Sequence, residues 1–143
     1  MTEAIGADPI VREVDIDAKP ETVFAFFTDP EKLKRWLAVE ATLDPRPGGV
    51  CHQTHQGADG LYYMRGEFVE VSPPERVVFT WGFTNPEIGV DPGGSVVEVT
   101  LEERDGGTRV RLVHRDLPAA ERGDHDRGWD KMLSRLAKAV EER

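Results

Sequence analysis

Four histidines, a single cysteine and three tryptophans hold most of the chemistry available to this chain. Cys51, His52 and His55 in the run CHQTH suggest a metal site. On an extended strand, however, Cys51 and His55 share a face about 13 Å apart at ~3.3 Å per residue, and His52 points the other way. No Cys-x-x-Cys pair or helical His-x-x-x-His supports them, so no metal is expected. His114 alternates with Val110 and Leu112 on an apolar strand face. Its unperturbed pKa of about 6.5 suits a general base or a substrate-orienting group, although a histidine bonded to a neighbour is the commoner case. His125 lies four residues before Trp129, on the same helix face, where it could reach a ligand. Its neighbours Asp124 and Asp126 read as caps at a helix start. Arg12, on the apolar side of the first strand, is the remaining polar group that could join His114 and His125 in acid–base work.

Other chemistries find no support. Glu67, Glu70, Glu98, Glu102 and Glu103 mostly alternate toward water and do not converge as a carboxylate pair must. No nucleophile elbow, Walker loop or dinucleotide fingerprint occurs. The glycine pairs at 48–49, 93–94 and 106–107 fall in hairpin contexts. No cofactor is expected.

The elements that must position these groups follow from periodicity. PIVREVDIDA, 9–18, places Ile10, Arg12, Val14 and Ile16 on one strand face. Pro20 begins a helix carrying Val23, Phe24 and Phe27, and Thr28 or Asp29 caps a second short one, PEKLKRWL, with Leu33, Trp36 and Leu37 on one side. The period then changes to two through AVEATLD, VCHQTHQ, LYYMRGEFVEV, ERVVFTWGF, SVVEVTLEER and TRVRLVHRDL, with Pro-Gly-Gly and Asp-Gly-Gly corners between strands. Phe79, Trp81 and Phe83 share one face, as do Val97, Val99 and Leu101. From Ala119 to Glu142 the chain reads as one helix with an apolar stripe of Trp129, Met132, Leu133, Leu136, Ala137 and Val140. The predicted order is strand, two short helices, six strands and a long helix. The only surface large enough for that helix is the apolar face of an antiparallel sheet, and a bent sheet around a helix commonly leaves space for a ligand.

Composition sets the bounds. The chain has 143 residues, 38% hydrophobic and 31% charged, which predicts one globular domain spanning 1–143. A net charge of -9 opposes binding to nucleic acid or an anionic membrane and leaves room for neutral, apolar or cationic small molecules. One cysteine cannot form an intrachain disulfide. No basic-then-apolar leader opens the sequence and no apolar run approaches a bilayer span, so a cytoplasmic location is expected.

The stretches IDAKPETVFAFFTDPEKLKRW, DPRPGG, GEFVEVSPPERVVFTW, GGTRVRLVH and GWDKMLSRLAKAVEE, in this order, resemble the START-like (Bet v 1-like, SRPBCC) superfamily. Within it they resemble the group related to the activator of Hsp90 ATPase, over about residues 10–141. The resemblance implies an α+β helix-grip fold: a curved antiparallel sheet of about seven strands holding a long C-terminal helix, with two short helices after the first strand. Similar members are mostly small bacterial proteins without an assigned reaction, and the superfamily includes lipid and hormone carriers, polyketide cyclases and oxygenase substrate domains. The expected role is to bind a small hydrophobic or aromatic molecule between helix and sheet, touched by Trp36, Phe79, Trp81, Phe83, His114, His125, Trp129 and Met132, with no catalytic residue assigned. Alternatives are a cyclase or hydrolase in the same cavity, or a chaperone-linked or stress-linked interaction protein. The chain is expected as a monomer or homodimer.

Overall fold

In a computed structural model, which describes residues 8–143, the chain forms one seven-stranded antiparallel sheet around a long helix. The strands are β1 (Ile10–Ile16), β2 (Glu40–Leu43), β3 (Val50–Gly57), β4 (Gly60–Ser72), β5 (Arg76–Trp81), β6 (Ser95–Arg104) and β7 (Gly107–Arg115). The helices are α1 (Pro20–Thr28), α2 (Pro30–Leu33) and α3 (Ala119–Glu141). In space the strands run β1-β7-β6-β5-β4-β3-β2, so β1 closes back on the last strand while the others form a meander. This is the α+β helix-grip fold.

Local sequence accounts for the entry helices. Pro20 opens α1, where a missing N–H costs nothing, and Val23, Phe24, Phe26 and Phe27 are buried. Asp29 caps α2 by accepting the Glu31 backbone N–H at 2.9 Å, and Pro30 follows at the first helical position. The expected helix through Leu37 stops at Leu33. Lys34–Leu37 tighten into turns instead, with the Trp36 and Leu37 backbone N–H groups both directed at the Leu33 carbonyl. The tightening seats Trp36 fully inside, where its indole N–H donates to the Phe26 carbonyl at 2.9 Å.

The bend of the sheet is concentrated in β4. Its first half pairs with β3 from Gly60 to Glu67, its second half with β5 from Phe68 to Ser72, and a bulge lies between Phe68 and Glu70. The extra residue, Val69, is 51% exposed, while Phe68 is buried, as expected when a bulge kinks and twists a strand. A Cβ at Gly66 would lie 2.1 Å from the Thr80 carbonyl oxygen, so only glycine lets the two strands approach there.

Beneath this curve the C-terminal half of α3 packs flush. Trp129, Leu133, Leu136, Ala139 and Val140 are buried against β-strand residues including Val97, Val99, Val110 and Leu112. Burying side chains of the Leu or Val type is worth about 1.5–3 kcal/mol each, so this half anchors the helix. The outer sheet face is charged: Arg109 pairs with Asp15, and Glu98 joins Arg76 and Arg115. Among the described residues no helix is long and apolar enough to cross a membrane.

Candidate functional site

Between the N-terminal half of α3 and the inner face of the sheet lies a pocket of about 490 Å³. Three elements build it. β5 and the residues after it contribute Trp81 and Phe83; the end of β3 contributes His55, Gln56 and Gly57; and α3 contributes Glu121, Asp124, His125, Gly128, Trp129 and Met132. Leu37, Tyr62 and the turn bearing Glu87 and Ile88 complete the rim. Alternation explains the strand contributions, since Trp81 and Phe83 face inward with Val77 and Phe79. Helical spacing explains the rest: 121, 125, 128, 129 and 132 follow one face.

Trp81 is the hub. Its ring centroid lies 5.2 Å from Trp129, 5.6 Å from Phe83, 5.3 Å from His55, 5.5 Å from His114 and 6.3 Å from His125. The hydrogen bonds around it are complementary. The Trp129 indole N–H donates to His114 Nδ1 at 2.9 Å, so the ring proton of His114 is on Nε2 and goes to Ser95 Oγ at 2.8 Å. Ser95 in turn donates to the Trp81 carbonyl at 2.8 Å. His125 has the opposite tautomer: Nε2 accepts the Trp81 indole N–H at 3.2 Å, and Nδ1 donates to the Glu121 carbonyl at 2.9 Å. His55 donates from Nε2 to Gln53 Oε1 at 2.7 Å, while the Gln53 amide nitrogen faces Cys51 Sγ.

Burial favours the neutral form of all three rings. Burial pushes His114 down to about 3 and His55 down to about 4, with His125 as the secondary influence on both. Burial also lowers His125, against the opposing pull of its bond to Glu121. Burial raises the Cys51 thiol to about 12, so it is an inert core group. No group of three or more metal-ligating side chains converges among the described residues.

Of the eight residues expected at a ligand, Trp81, Phe83, His125, Trp129 and Met132 line the pocket. His114 stands behind the wall, fully buried, with both ring nitrogens engaged. Phe79 is one inward step deeper along β5, packed on Phe68 and Trp81. Trp36 is in the core beneath α1, 5.1 Å from Phe27. Arg12 is not among the lining residues; it binds Asp126 and, at 2.7 Å, Asp130, tying β1 to α3. The capping reading of Asp124 and Asp126 is corrected: α3 begins at Ala119 behind Pro118, so both lie beyond its first turn. There Asp124 pairs with Arg127, and Asp126 with Arg12. Sequence reasoning missed His55, Tyr62, Glu87 and Glu121. The inward alternation of Cys51, Gln53 and His55 signalled the first of these.

A family model described as Activator of Hsp90 ATPase homolog 1-like protein matches residues 17–141. The human Activator of 90 kDa heat shock protein ATPase homolog 1 is 28% identical over 114 residues, which is 78% of this chain and 30% of that protein. The chain thus spans about 30% of the length of that curated relative. Among solved structures, protein MLL2253 from Mesorhizobium loti superposes with a TM-score of 0.81 at 22% identity, covering 94% of this chain and 98% of that one. The Aha1 dimer from Colwellia psychrerythraea superposes with a TM-score of 0.75 at 19% identity, covering 94% and 96%.

Proposed function

The chain belongs to the Activator of Hsp90 ATPase homolog 1-like family, and we propose that within it this protein is a binding module for a small, largely hydrophobic molecule. The observation that carries this reading is the pocket of about 490 Å³ walled by Trp81, Phe83 and Trp129. Its size and aromatic lining match those of small-molecule sites. The test uses thermal shift and tryptophan fluorescence with lipids, polyketides and aromatic metabolites, comparing the native chain with Gly128→Leu. Gly128 lines the pocket and a Cβ there would meet nothing within 4 Å, so a leucine fills the space without a backbone clash. A true ligand stabilises the native chain by about 2.7 kcal/mol at a hundredfold excess over Kd. The same ligand leaves Gly128→Leu unmoved. Equal responses from both proteins to every compound would remove the reading.

A cyclase or hydrolase in this cavity would need His114, His125 and Arg12 to converge. His114 has both nitrogens engaged and Arg12 is bound by Asp126 and Asp130 away from the lining, which supports binding over acid–base work by this set. Similarity to the human activator favours a second reading, in which the domain docks on an Hsp90-type ATPase. Stimulation of that ATPase by the purified chain would support it; no stimulation at high excess would count against it. We take the chain to be a monomer or homodimer, which sedimentation equilibrium resolves.

A further inference from the structure

We propose that the occupant of this pocket is an organic cation, a protonated amine or quaternary ammonium carried on an aromatic or apolar body, rather than a fatty acid or other anion. The inference rests on the pocket being a binding site and names the class of its ligand. Three observations carry it.

The first is charge. Glu87, Glu121 and Asp124 line the pocket, and among the described residues no lysine or arginine does. Asp124 is paired with Arg127, but no cation pairs with Glu87 or Glu121 among the described residues. The Glu121 carboxylate lies against Gly89, in the turn that also bears Glu87: a Cβ on that glycine would be 3.0 Å from its Oε2. Two uncompensated carboxylates therefore border one apolar space, Glu121 half-buried and Glu87 exposed at the mouth, and both repel an entering anion, Glu121 with less screening by solvent.

The second is hydrogen-bond polarity. The donors that could greet an anion are already committed. The indole N–H groups of Trp81 and Trp129 go to His125 and His114, and the His125 Nδ1–H goes to Glu121. The His55 Nε2–H goes to Gln53, and the Gln56 amide nitrogen serves the carbonyls of Gly57 and Gly60. Apart from the Tyr62 hydroxyl, the side-chain polar atoms of the lining without a partner among the described residues are acceptors: the Glu87 and Glu121 carboxylates, the second Asp124 oxygen, Gln56 Oε1 and His55 Nδ1. Such a lining rewards a ligand that donates or carries positive charge.

The third is the wall itself. Tyr62, Trp81, Phe83 and Trp129 present aromatic rings to one cavity, and ring faces attract a cation within about 6 Å of their centroids. The neutrality of His55, His114 and His125 leaves that attraction unopposed.

Three bicyclic probes of nearly equal shape separate charge from hydrophobicity: N-methylquinolinium, methylnaphthalene and naphthoate. Their affinities are read from tryptophan quenching and calorimetry on the full chain. The cation is expected to bind roughly tenfold more tightly than the neutral probe, with naphthoate weakest. Added salt should weaken the cation and not the neutral compound. Glu87→Gln combined with Glu121→Gln, its fold checked by circular dichroism and melting temperature, should abolish the preference for the cation over the neutral probe. If methylnaphthalene matches the cation, or naphthoate exceeds it, this inference fails while the binding reading stands. If none of the three binds, this inference fails as well, and the binding reading is decided by the wider screen of lipids, polyketides and aromatic metabolites.

Discussion

His114 is the residue on which the inner wall turns. It is fully buried, accepts from Trp129 and donates to Ser95, so its neutral form joins β7 to groups on two other elements, α3 and β6. Replacing it with Phe keeps a ring but orphans the Trp129 indole N–H, itself buried. An unsatisfied buried donor costs about 1–3 kcal/mol, so His114→Phe should lower the urea unfolding free energy by that amount. Adding Trp129→Phe removes the orphan, and the double variant should lose less than the sum of the singles, by about 1 kcal/mol. Strict additivity would mean that the bond carries no energy. The inward placement of His114 was legible from its alternation with Val110 and Leu112. Its partners were not, because Ser95 lies across a strand pair and Trp129 belongs to the next element, and no local pattern links the three. His55 shows the same limit: its face was readable, but its place in the pocket depends on how far the sheet bends.

At the scale of elements, the order of strands and helices and the inner stripe of α3 could be read from periodicity, since each repeats a local burial preference over many residues. Less visible was that α3 serves two purposes along its length. Its C-terminal half is anchored by Leu133, Leu136 and Val140, whereas its N-terminal half carries Gly123 and Gly128 and spans the pocket. Glycine inside a helix costs about 0.5–1 kcal/mol relative to alanine, so both positions weaken the segment over the cavity. Gly128→Ala should therefore stabilise the chain by about 0.5–1 kcal/mol in urea titrations, because its Cβ would enter open space. A loss of stability would mean that α3 sits closer to the sheet than the pocket allows. The bend was equally hidden in sequence. It arises from the bulge at Val69 and from Gly66, and in the sequence GEFVEVS that region reads as an unbroken strand. The Arg12 bonds to Asp126 and Asp130 tie the N-terminal half of the helix to β1.

For the whole molecule, the clustered neutral histidines predict acid sensitivity well above the range of ordinary carboxylate titration. In the unfolded chain each histidine titrates near an unperturbed value of about 6.5. In the fold His55 is held at about 4 and His114 at about 3, and His125 is lowered as well. A depressed histidine means that the folded state binds fewer protons than the unfolded one. Its contribution is therefore complete above about pH 6.5, where both states are neutral, and falls as pH drops from there toward the folded value. His114 in the core and His55 at the pocket wall each remove about 1.4 kcal/mol per pH unit in that window, and His125 adds to the loss in the same direction. Other groups act elsewhere on the scale. His52, half-exposed on the other strand face, is lowered by burial and by Arg65 in the same direction. Glu98, held down by Arg115 and Arg76, and Asp15, held down by Arg109, lose their contributions only as pH falls below about 4.5. Relief of the net charge of -9 also belongs mainly to that lower range. Unfolding free energies measured in urea should thus drop by about 3 kcal/mol between about pH 7.5 and pH 5.5. In His55→Phe, whose new ring can pack between Trp81 and Phe83, the drop should shrink by about 1.4 kcal/mol. A stability that stays flat over this interval in the native chain would show that the three rings accept protons in the folded state, and that the hydrogen-bond polarity assigned to the wall is wrong.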